Sequence, residues 1–194
     1  MEKIRVGMNE ANISSKEVPI IGTDALGPCI GVLIHSKKHK KAVVFHTSTE
    51  WKELVVQALI LLAESEIISY DNLNKAIESL FLHDKYNLYG FDQKTKQEIL
   101  TKKGLNITKT EEQLELTIIP GFYQSNYNTA LEMTKFFMSL KPLFIIKRNE
   151  LPKNAIRTVM FDDLGSHEFY FNATTGKFVT NQVKDKIDSK GYRL

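Results

Sequence analysis

The sequence predicts a layered α/β sandwich built on a mixed, largely antiparallel sheet. Short apolar runs of strand length outnumber the segments with helical periodicity, and the two kinds are interleaved along the chain rather than segregated. The 194 residues, 42% hydrophobic and 25% charged, suffice for a single sizeable core. With only 10 Gly and 5 Pro and no repeat or low-complexity tract, the chain cannot be collagen-like, disordered or linker-dominated. One domain is expected over residues 1–182, followed by a polar C-terminal tail at 183–194.

Val6–Ile13 and Val18–Ile21 read as strands separated by the polar bend Ser14-Ser15-Lys16. Residues 23–28, Thr-Asp-Ala-Leu-Gly-Pro, read as a turn-rich loop. Two β-type runs follow, Cys29–His35 and Lys40–His46, joined by residues 36–39 as a hairpin. Thr47 and Glu50 have capping-box spacing, and behind them Trp51, Leu54, Val55, Ala58, Leu59 and Leu62 form one helical apolar stripe. A second helix begins near Asp71, with Leu73, Ile77, Leu80 and Phe81 inward, and a third spans 94–103, stopped at Gly104. Leu114–Ile119 reads as a strand, and Asn128 as the cap of a helix carrying Leu131, Thr134, Phe137 and Met138. Pro142–Ile146 and Ala155–Phe161 read as strands, and His167–Phe171 with Lys177–Thr180 as a closing hairpin turned at 172–176.

The longest apolar run, near Leu54–Ala63, still contains Gln57, so no membrane-spanning helix and no membrane insertion are expected. Met1-Glu-Lys-Ile-Arg5 lacks an apolar signal core, which predicts a cytoplasmic protein and makes the glycosylation triplets at Asn12, Asn106 and Asn172 coincidental. A net charge of +3 is too mild to indicate nucleic acid. The single cysteine, Cys29, forbids an internal disulfide and a multi-cysteine zinc site. His35, His39, His83 and His167 have few carboxylates at ligand spacing, and no phosphate-cradling glycine motif occurs, so neither metal nor cofactor is expected.

With residues 36–39 as its loop, the hairpin puts Cys29 directly opposite His46. Opposed residues share a face with β-carbons ~4.5–5.5 Å apart, within reach of a thiol and an imidazole. A Cys–His pair of this kind can attack a carbonyl: the thiolate is the nucleophile, and the imidazole takes and returns the proton. Such an ion pair lowers the thiol pKa. Thr23, six residues before Cys29, is placed to fold back as the third group that fixes the imidazole. The alternative is a cysteine that serves only as a small core residue.

Three segments carry a family resemblance: Val6-Gly-Met-Asn-Glu10, Ile13-Ser14-Ser15, and Gly22-Thr-Asp-Ala-Leu-Gly-Pro-Cys-Ile-Gly-Val-Leu-Ile34. They resemble the opening of CheD, the chemoreceptor glutamine deamidases, which carry a Thr, then Leu-Gly-Ser-Cys ending six residues later, then a His on the next strand. Here these are Thr23, Leu26-Gly27-Pro28-Cys29 and His46. Asp163-Leu-Gly-Ser166, Tyr170-Phe-Asn172 and Thr175-Gly176 are similar to the family's closing turn and hairpin. The same Thr–Cys–His logic occurs in cytotoxic necrotizing factor toxins. Pro28 departs from the family's small residue and removes an N–H that an oxyanion hole could use.

The resemblance implies a CheD-like fold with a helical insertion around 70–110. It also implies a hydrolase that converts a protein glutamine to glutamate and releases ammonia, with Cys29 as nucleophile, His46 as base and acid, and Thr23 as orienting residue. The alternatives are a bacterial effector or toxin deamidase, delivered into a host cell without a signal peptide, and a catalytically silent CheD-like binding module. The partner is then a protein substrate with a surface glutamine. The basic hairpin tip Lys37–Lys41 is either a solvated turn or a docking element for an acidic partner. Phe122, Tyr123 and Tyr127 are either packing residues or the rim of a substrate groove, and Asp162-Asp163 a carboxylate pair or a turn.

Overall fold

In the computed structural model, residues 2–48, 50–123, 126–147, 156–161 and 164–179 are described. The expected tail at 183–194 and the Asp162-Asp163 pair lie outside them.

The central strands are β4 (Ile30–Ser36) and β5 (Lys41–Thr47), which are buried along almost their whole length. A strand covered on both faces reads as a continuous apolar run, and both do. They belong to a five-stranded sheet in the order β2-β5-β4-β6-β7, in which β2 is Glu10–Ile13, β6 is Leu114–Pro120 and β7 is Phe144–Ile146. A second five-stranded sheet runs β1-β3-β9-β10, with β8 also on β9. Its strands are β1 (Ile4–Val6), β3 (Ile20–Leu26), β8 (Arg157–Phe161), β9 (Leu164–Asn172) and β10 (Lys177–Phe178). Pairing is antiparallel except for β1 with β3 and β6 with β7.

Alternation along the central strands sends their side chains into two separate cores. Ile30, Val32, Ile34, Val43 and Phe45 face the helices. These are α1 (Trp51–Glu64), α2 (Tyr70–Lys85), α3 (Gln93–Lys102) and α4 (Tyr127–Ser139), with a 3₁₀ turn at Leu88–Gly90. Cys29, Leu33, Ala42 and Val44 face the other way, onto Val6, Ile21, Leu26, Phe169 and Phe171 of the second sheet. The layers are therefore helices, sheet, sheet: an α/β sandwich with two sheets where one was expected.

Every residue of the α1 stripe read from the sequence is buried. Its start differs, because Thr47 pairs with Ile30 at the end of β5 and Glu50 makes no side-chain cap. Helix α2 begins one residue earlier than expected, capped by Ser69 accepting from Asn72 N–H, and Phe81 points outward. In α4 the buried residues are Met133, Phe136, Phe137 and Ser139. Leu131 and Met138 are partly exposed, so this stripe lies one position round from the one expected.

Candidate active site

The hairpin carrying Cys29 and His46 has a different register from the one the sequence predicts. Ile30 pairs with Thr47, Gly31 with His46 and Ser36 with Lys41. The loop is 37–40, closed by Lys40 in the left-handed region at φ 53°. Cys29 therefore does not oppose His46. It lies one residue outside the ladder, diagonal to the imidazole. A shift by two positions keeps the face, so both side chains still project between the two sheets.

Thr23 is not in a loop. It lies within β3, paired with Val6 of β1 and Phe169 of β9, and it is fully buried. The turn-forming residues after it produce a bulge instead: the β3–β9 register shifts between Thr23 and Leu26, with Ala25 at φ 57°. The Thr23 hydroxyl donates to the Val6 carbonyl at 2.7 Å and lies 2.9 Å from His46 Nδ1. A hydroxyl has one hydrogen, and here a carbonyl takes it. His46 Nδ1 must then carry its own proton and donate to Thr23 Oγ1. The neutral ring's lone pair is left on Nε2, which is buried and has no hydrogen-bond partner among the described residues.

Burial pushes the Cys29 thiol up from its ordinary pKa. Burial also pushes His46 down, opposed only in part by the charge of Asp24. Both shifts run against the thiolate–imidazolium pair that the spacing predicts. Both groups pay desolvation on becoming charged. Among the described residues the thiol's hydrogen bond goes to Met8 Sδ at 3.9 Å, and none joins Cys29 Sγ to His46 Nε2.

The turn between β1 and β2 covers this site. Gly7 N–H donates to Glu10 Oε2 at 2.8 Å, and Asn9, at φ 60°, donates its N–H to the His46 carbonyl at 2.7 Å. Between them Met8 is 61% exposed, and its sulfur lies 3.9 Å from Cys29 Sγ. On the other side, Asn126 at the start of α4 directs its side-chain Nδ2 to two carbonyls, Pro28 at 2.7 Å and Ser48 at 3.0 Å. Gly121 crosses the Cys29 loop so closely that a Cβ would lie 2.3 Å from the carbonyl oxygens of Gly27 and Cys29. Of the three aromatic candidates, Phe122 packs edge-on against His167 and Tyr123. Tyr123 is partly exposed and accepts from Gly165 N–H at 3.0 Å, and Tyr127 is exposed.

Sequence reasoning assigned no role to Met8, Gly31, Gly121 or Asn126. Met8 does fall within the segment Val6–Glu10 that carries the family resemblance, which is the one signal that pointed to it.

Two lysines of the basic hairpin tip are paired with carboxylates outside the hairpin. Lys37 pairs with Glu115 at 2.6 Å, and Lys38 pairs with Glu111. The Glu112 carboxylate accepts from the Ser36 hydroxyl and from the N–H groups of Lys37 and Lys38. Among the described residues no group of three or more His, Cys, Asp or Glu could hold a metal ion. No described helix is long and apolar enough to cross a membrane. No protein-family model matches the chain, and no curated protein matches it.

Proposed function

We propose that this protein is a cysteine-dependent deamidase that converts a glutamine side chain on a protein to glutamate. The observation that carries the reading is His46 itself, held through Nδ1 by Thr23, with a buried Nε2 that has no partner among the described residues, on the same face as Cys29. A buried polar atom without a partner is costly, and a base waiting for a proton is one reason to keep it.

In the reaction, Cys29 Sγ passes its proton to His46 Nε2 and forms a bond to the carboxamide carbon. The C=O electrons move onto oxygen. The Nε2–H then protonates the nitrogen, the C–N bond breaks, and ammonia leaves a thioester. Water attacks that thioester and gives a proton to Nε2. Collapse returns the proton to sulfur and releases the carboxylic acid. The net change is one water consumed and one ammonia released per amide. Thr23 orients the imidazole, stabilising the tautomer that acts as base.

A protein substrate is favoured because the residues flanking the buried thiol, Met8 and Pro28, are themselves exposed. A target side chain can enter there from a folded partner. Proteome-wide mass spectrometry for Gln-to-Glu conversion, comparing the protein with Cys29→Ala, tests the reading. Bacterial chemoreceptor and host-cell proteomes examined in parallel separate the two substrate classes. A second reading, a silent binding module, is favoured by the N–H that Pro28 lacks. It predicts no conversion in either proteome and unchanged partner capture by Cys29→Ala.

A further inference from the structure

Pro28 leaves the Cys29 N–H as the obvious backbone donor for a developing oxyanion, and that N–H belongs to the same planar peptide unit as the Pro28 carbonyl. The described chain has no cis peptide, so the Cys29 N–H points opposite to the Pro28 C=O. Asn126 Nδ2 holds that carbonyl at 2.7 Å, and so fixes the plane that aims the N–H. The second hydrogen of the same amide goes to the Ser48 carbonyl at 3.0 Å. In the observed register, Ser48 and Cys29 would form the next pair after Ile30 and Thr47, and the ladder ends before them. Asn126 spans this open end and ties the Cys29 strand to the His46 strand.

We infer that Asn126 is a positioning residue: it orients the Cys29 N–H as the oxyanion donor and sets its relation to His46. The inference rests on the deamidase reading for its biological meaning, but the donor geometry can be probed without an amide substrate. Acyl transfer from p-nitrophenyl acetate to Cys29 forms an S–C bond, drives the carbonyl electrons onto oxygen, and expels p-nitrophenolate when they return. It therefore needs an oxyanion donor. Alkylation by iodoacetamide displaces iodide at a saturated carbon and needs none.

The experiment measures both rates, with thermal unfolding, for the parent, Asn126→Ala and Asn126→Asp; the Asp variant keeps the volume and loses both donors. Acylation relative to alkylation should fall ~10-fold or more, since loss of an oxyanion donor typically costs ~10²–10³ in rate. A ratio within twofold of the parent would overturn the inference. So would both rates and the unfolding temperature falling together, because Asn126 would then be only structural. Ammonia release from β-casein is followed alongside. If the parent releases none while the rate ratio still drops in the variants, the deamidase reading fails and the assignment of Asn126 stands.

Discussion

Gly31 stands directly opposite His46 in the hairpin, and a Cβ there would lie 2.7 Å from the Phe169 ring and 3.1 Å from Leu26 Cδ1. The position beside the imidazole thus admits the second sheet at close range. Gly31→Ala should destabilise the fold by about 1–3 kcal/mol, the usual cost of overpacking a well-filled core. Urea unfolding measures it, and a change near zero would mean that the sheets can separate locally.

Thr23→Val removes the hydroxyl at nearly constant volume. It leaves the His46 Nδ1–H and the Val6 carbonyl buried without their partner. Stability should fall by about 1–3 kcal/mol. Amide turnover should fall at least ~10-fold, part of the ~10²–10³ or more that a positioned acid–base group contributes. Thr23→Ser should restore most of both. Full turnover in Thr23→Val would remove Thr23 from the site.

Burial raises the pKa of the Cys29 thiol. Alkylation of Cys29 followed against pH should therefore show a midpoint above the ~8.5 of a free thiol. A midpoint below that value would restore the ion pair that the sequence alone predicts.

Met8→Ala should uncover the thiol, since the Met8 sulfur lies 3.9 Å from Cys29 Sγ. Iodoacetamide should then react several-fold faster at fixed pH with an unchanged midpoint. An equal rate would show that other groups control access.

His46 and His83 are both held below the ordinary histidine pKa, chiefly by burial. In the unfolded chain each takes up a proton near pH ~6.5, while the folded chain keeps them neutral to lower pH. As pH drops through 6.5 the unfolded state binds more protons, so stability is retained above that pH and lost progressively below it. Urea unfolding between pH 8 and pH 5 should show the decline, and His83→Gln should flatten it. A flat profile in the parent would contradict the burial of these imidazoles.

The face shared by Cys29 and His46 was legible in the sequence because alternation has a period of two. The register was not, because it depends on which loop residue takes the left-handed conformation. Lys40 does so, and nothing in a run of Lys and His marks one of them for that geometry. Thr23 read as loop because Asp24, Gly27 and Pro28 crowd its neighbourhood, yet pairing on both sides with β1 and β9 holds it in a strand. Two sheets read as one because strand pairing between chain ends leaves no local trace. The α1 stripe was fully legible, since its helical spacing is decided within fourteen residues.

The sheet carrying β4 and β5 acts as a partition. None of the described apolar residues filling the space between the two sheets comes from a helix, and the helices pack wholly against the opposite face. Alterations to α2 and α3, including the outward Phe81, are therefore separated from the face that carries Cys29 and His46 by one layer of strands. Changes confined to the exposed surfaces of α2 and α3 leave the space between the sheets untouched, whereas the start of α4 lacks that independence, because Asn126 reaches the Pro28 and Ser48 carbonyls.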